Sequence, residues 1–154
     1  MSDWKRTTSE ISLEQMPVEM NAELLRHIEL YRLGSILSDV VICIQSDAEK
    51  AKKGLFGSAE RICIVALLTQ HWLLWVVRGN KTPATATSAL LSEVVIQDYS
   101  ITLFAKMVPD HGVQVSGKFT DVVENSSAFI GLEGNAAGQK FKELAILTSQ
   151  NAKK

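Results

Sequence analysis

An α+β fold, mainly β, is predicted for the 154-residue chain by three observations. About seven short runs rich in apolar and β-branched residues lie between residues 39 and 134. One amphipathic helical segment precedes them, and a second closes the chain. A hydrophobic content of 46% with 21% charged residues suits one globular domain with a substantial core.

The first helix is predicted over residues 17–33, PVEMNAELLRHIELYRL. Met20, Leu24, Ile28 and Tyr31 recur at helical spacing and share one face. Pro17 suits a first turn, and Glu19 and Glu23 sit near the positive end of the dipole. Arg26, His27 and Arg32 lie toward the negative end, with Gly34 as the stop. DVVICIQS, residues 39–46, reads as a strand followed by a long polar connection. The most apolar stretch, ICIVALLTQHWLLWVV at 62–77, has 16 residues broken by Thr69, Gln70 and His71. A transmembrane helix needs roughly 20 unbroken apolar residues, so the reading is a hairpin of RICIVALLT and HWLLWVVRG. Its continuous apolar character means that both faces are covered. The core covers one, so the other must meet the N-terminal helix or a second subunit.

Further strands are predicted at SEVVIQDYS (92–100), ITLFAKMV (101–108), GVQVSGKFT (112–120) and SSAFIGLEG (126–134). PDHG is a turn between the second and third of these. Asn135 caps a final helix over 136–150, with Ala137, Phe141, Leu144 and Thr148 on one face.

Several function classes find little support. A net charge of −1 is not that of a general polycation, so no nucleic-acid partner is expected. The segment before residue 17 lacks a signal-peptide pattern, and the expected location is cytoplasmic. Cys43 and Cys63 both lie in apolar strand runs and read as reduced core thiols. His27, His71 and His111 have no metal-ligand spacing, so neither a metal nor another cofactor is expected. Asp110 beside His111 reads as turn chemistry, and GLEGNAAGQK lacks either nucleotide fingerprint. Trp72 and Trp75 read as core aromatics. The chain is therefore predicted not to be an enzyme, unless a deep polar pocket surrounds His71 or His111.

The strand order closed by an amphipathic helix, together with LLTQHWLLWVV, LLSEVVIQDY and FIGLEGNAAGQKFKEL, resembles the bacterial pleckstrin-homology-like domains and the overlapping GRAM group. Leu91 to Val94 match that group's leucine-polar-acidic-aliphatic signal. The resemblance covers residues 38–150, leaving 1–37 as an N-terminal extension that carries the first helix and 151–154 as a tail. It implies a strongly bent sheet or partly open barrel of about seven antiparallel strands, plugged by Phe141 and Leu144 of the last helix. With enzyme signatures lacking, the expected function is a non-enzymatic interaction or assembly module with a protein partner of unknown identity, and the apolar outward face of Ile62 to Val77 leads to an expectation of self-association.

A second reading comes from charge. Lys50, Lys52 and Lys53 fall in the loop after the first predicted strand, and Arg78 and Lys81 in or beside the loop after the third. Arg61 begins the intervening strand, and Leu55 and Phe56 mark the longer loop's tip. In a meander these loops share one end, so the cations could form a rim for anionic lipid headgroups, with peripheral membrane contact. Against this, family members that bind lipid carry a basic-x-basic pair on the second strand, and this chain has Arg61, Ile62, Cys63.

Overall fold

The computed structural model describes residues 4–50, 57 and 59–154. In chain order the elements are β1 (Trp4–Glu10), α1 (Val18–Leu30), β2 (Ile42–Lys50), β3 (Glu60–Leu68), β4 (Trp72–Gly79) and β5 (Thr85–Leu90). There follow β6 (Val94–Asp98), α2 (Phe104–Met107), β7 (Gly112–Gly117), β8 (Ser126–Gly131) and α3 (Ala136–Asn151). Two antiparallel sheets result, one in the order β1-β2-β3-β4-β5 and one in the order β6-β7-β8. Among the described residues the fold is α+β and mainly β, with eight strands in two sheets rather than about seven in one.

The apolar hairpin forms as predicted, with Leu68 opposite Leu73 and Ile62 opposite Gly79. Side chains alternate across a strand, and here the alternation feeds two cores. Ile64, Ala66, Leu68, Leu73 and Trp75 face inward onto β6–β8 and α3, where Val115, Ile130 and Phe141 complete one cluster. Cys63, Val65, Leu67, Leu74 and Val76 face outward and pack with Met16, Met20 and Leu24 in a second. The outer face is thus covered by the chain's own N-terminal helix.

On α1, Met20, Leu24 and His27 are buried, Ile28 is half-buried, and Tyr31 is 36% exposed. The stripe therefore ends one turn earlier than predicted, and His27 belongs to the buried face. Gly34 is not the residue that stops the helix. Arg32 takes the left-handed conformation at φ 54°, while Arg32 N–H donates to Glu29 O and Leu33 N–H to Ile28 O, which is the Schellman pattern. At α3 the Asn135 side chain accepts from Gly138 N–H at 2.9 Å. Phe141, Ala145 and Ser149 are buried there, a face rotated slightly from the predicted one, with Leu144 at its margin.

Several elements differ from the prediction. β2 runs on to Lys50 because Ala48 continues the buried positions while Asp47 and Glu49 stay in water. Residues 101–108 are not a strand. The Asp98 carboxylate accepts from Ser100 N–H at 3.0 Å and turns the chain away from the β6 ladder, and the segment ends in the single turn α2. β1 and β5, at WKRTTSE and TATSAL, were not foreseen, because hydroxylated and small side chains carry little apolar periodicity.

Candidate functional site

Of the predicted cationic rim, the described residues are Lys50, Arg61, Arg78 and Lys81. Lys50, Arg61, Arg78 and Lys81 lie at one end of the five-stranded sheet, where Lys50 is opposite Glu60 and Arg78 opposite Cys63. Strand alternation splits them between faces. Arg61 and Arg78 point to the α1 side, together with Lys5, and line a cleft with Glu19, Asp47 and Glu49. Arg61 pairs with Glu49 at 3.7 Å and Arg78 with Glu19 at 3.5 Å, so this patch is close to neutral. Lys50 is on the opposite face, its Nζ 5.7 Å from the centre of the Trp4 ring. Lys81 is exposed in the β4–β5 turn. Lys52, Lys53, Leu55 and Phe56 lie outside the described residues.

The histidines separate as well. His71 is exposed and lines an open cleft of about 720 Å³ with Asp39, Gln70, Trp72 and Asn151. Trp75, by contrast, is core, edge-on to Phe119 at 5.2 Å. His27 Nε2 lies 2.8 Å from Ser88 Oγ, and that hydroxyl donates to Thr120 Oγ1 at 2.7 Å. A histidine beside a serine invites comparison with a nucleophile and its base. Both residues are enclosed, Ser88 being 0% exposed, so the chain of hydrogen bonds serves to pin α1 to β5. Burial lowers the pKa of His27 from its ordinary 6.5, and raises those of Cys43 and Cys63 to about 12. Both thiols are free and buried. Among the described residues no group of three or more metal-capable side chains is found, and no helix is long and apolar enough to cross a membrane.

Two neighbouring features have the character of a functional surface. The first is a ridge on the β6–β7 connection, where Ile101 is 73%, Leu103 79%, Phe104 60%, Met107 82% and Val108 64% exposed. Five large apolar side chains are thus exposed within eight residues of one short connection, a local concentration of the kind that marks interaction surfaces. The Tyr99 hydroxyl donates to Val108 O at 2.7 Å and ties the two ends of this segment together, while the Tyr99 ring is buried beneath it against Phe129 at 4.6 Å.

The second feature is the open mouth between the two sheets. α3 closes one end of the inner core, its Lys140 pairing with Glu10 at the end of β1. At the other end of β1, Trp4 and Arg6 line a groove of about 580 Å³ with Ile62, Val77, Phe104 and Phe129. Its wall holds a forked ion pair: Arg6 Nη2 donates to Asp110 Oδ2 at 2.7 Å and Nε to Oδ1 at 3.2 Å. Only 11% and 9% of these two side chains are exposed. The guanidinium also lies 5.4 Å from the centre of the Phe129 ring and over Gly131, where any Cβ would collide with it.

Neither member of this pair was read as functional from sequence. Asp110 reads as turn chemistry from sequence, but residues 109–111 form no regular turn, and its carboxylate accepts from the adjacent His111 N–H at 2.8 Å. Its second role, toward a residue 104 positions away, has no local signal. The one hint was a lone arginine in an alternating hydroxyl-rich segment. No family model, curated protein or solved structure matches the chain.

Proposed function

We propose that this chain is a non-enzymatic interaction module of pleckstrin-homology-like architecture that assembles with a second copy of itself through the 101–108 ridge. The observation that carries this reading is the exposure of Ile101, Leu103, Phe104, Met107 and Val108 together on one short connection. Lys106 is the single charged side chain within it. Two such ridges can therefore meet about a two-fold axis with little like-charge repulsion, as an isologous contact requires. Burial of the apolar area supplies the association energy, at about 25 cal/mol per Å² before the cost of ordering.

Peripheral binding to anionic lipid through the basic rim is the competing reading. Its described cations Arg61 and Arg78 are matched by Glu49 and Glu19, which favours the self-association reading. Sedimentation velocity across a concentration series tests both. Wild-type protein is expected to form a dimer, and the double variant Leu103→Glu, Met107→Glu to remain a monomer with an unchanged melting temperature. Monomeric wild-type protein throughout the series, combined with salt-sensitive pelleting on phosphatidylserine vesicles, would overturn the proposal in favour of the lipid reading.

A further inference from the structure

The open mouth between the sheets carries a second inference, about a site lined by one chain that shares Phe104 and Val108 with the edge of the 101–108 ridge. We infer that it binds a small, uncharged, predominantly apolar molecule with one hydrogen-bonding end, such as a medium-chain alcohol, ester or amide.

Size is the first argument. The groove measures about 580 Å³, inside the roughly 300–1,000 Å³ of sites that enclose small ligands. The second is that the inner core stops short of this end. Ile64 and Trp75 are buried, whereas Ile62 and Val77, one step further along the same face of β3 and β4, are only half-buried. Among the described residues these two aliphatic side chains, packed on the core from below, form an apolar floor that a ligand's hydrocarbon part would cover, with Trp4, Phe104 and Phe129 as its aromatic walls.

Charge decides the ligand class. Arg6 and Asp110 neutralise each other through two hydrogen bonds in a nearly enclosed position. A ligand carboxylate or ammonium would be stripped of water and would have to break this pair to gain a counterion, which is costly. An uncharged ligand needs only hydrogen bonds. These are on hand at the lip, where Gln114 Nε2 donates to Ser127 Oγ at 2.7 Å and both side chains line the groove. Between them an amide carbonyl and a hydroxyl offer an acceptor and a donor to a ligand's hydroxyl, ester or amide.

The test is fluorescence titration with the neutral probe N-phenyl-1-naphthylamine, followed by displacement with decanol or with decanoate. The expected result is saturable binding of one probe per chain, with decanol displacing it at about tenfold lower concentration than decanoate. Ala128→Phe, which adds a ring at the groove, should weaken probe binding by about tenfold or more in protein that still folds cooperatively, with the modest loss of stability that overpacking brings. If that variant does not fold, Ile62→Trp fills the same space from the opposite sheet. The ridge variant Leu103→Glu, Met107→Glu should bind the probe as wild type does, which separates this site from the self-association surface. Absence of saturable binding, undiminished binding in a folded groove-filling variant, or preference for decanoate would each overturn the inference.

Discussion

At the scale of single residues, His27 shows how position changes chemistry. On spacing alone it belonged with the charged end of α1, yet it is 3% exposed and bonded to Ser88. Its neighbours include Asp121, whose charge favours the protonated form, and Arg26, whose charge opposes it, but burial is the largest influence and holds the pKa below 6.5. A depressed histidine means that the folded chain binds fewer protons than the unfolded chain as the solution is acidified. The stability that the neutral ring contributes is therefore full above 6.5. It is lost as pH falls from there through the lower folded value. Thermal melts between about pH 7.5 and 5 should show a falling melting temperature, and His27→Gln should flatten that slope. An equal slope in the variant would place the acid sensitivity elsewhere. Arg32 makes a related point: an arginine occupies a left-handed position usually given to glycine, at a cost of order 1 kcal/mol, because the Schellman hydrogen bonds fall at that residue.

At the scale of elements, α1 demonstrates that a stripe is filled only as far as its partner surface extends. Met20 and Leu24 are 0% exposed over the outer face of β4 and β5, while Tyr31 lies past the end of that contact. Leu24→Ala should consequently cost about 2–5 kcal/mol, the range for deleting a leucine from a packed core. Tyr31→Ala should cost under about 1.5 kcal/mol. Urea unfolding of the two variants checks the contrast, and equal losses would contradict the packing described. β1 is held by a different logic. Its Thr8 hydroxyl accepts from Glu133 N–H at 2.8 Å, Thr8 N–H donates to the Glu133 carboxylate at 2.9 Å, and Asn135 Nδ2 donates to Thr8 O at 2.8 Å. Polar groups of the β8–α3 connection thus fasten a strand that has little apolar character of its own.

For the whole molecule, the central fact is that one strand serves two cores. Along β3, Leu67 belongs to the cluster under α1 and Leu68 to the cluster under α3, so neither core can lose its packing without disturbing the ladder shared by both. This geometry predicts a single cooperative unfolding transition. Trp75 reports on the inner cluster and Trp72 on the margin of the outer one. Tryptophan fluorescence and far-UV circular dichroism should therefore give coincident urea curves, and Leu67→Ala and Leu68→Ala should each move the whole transition by about 2–5 kcal/mol. Separated transitions would show instead that α1 and its cluster unfold as a unit of their own.

Sequence by itself determined the elements whose apolar residues repeat: both long helices, the hairpin from Ile62 to Val77, β6, β7 and β8, and the requirement that both faces of the hairpin be covered. Those features are legible because periodicity and capping are local. Tertiary structure alone decided that β1 and β5 are strands, since their Thr, Ser and Ala side chains acquire a ladder only when a neighbouring strand presents its edge. It also turned 101–108 from a strand into an exposed ridge, as an apolar run is indifferent to whether anything lies opposite it. Lys50 took the opposite face from Arg61 and Arg78 because loop proximity in sequence says nothing about which side of a strand a residue takes. Arg6 and Asp110 met across the mouth of the sandwich for the same physical reason: a pair separated by most of the chain is brought together by the packing of two sheets, and no local pattern encodes that distance.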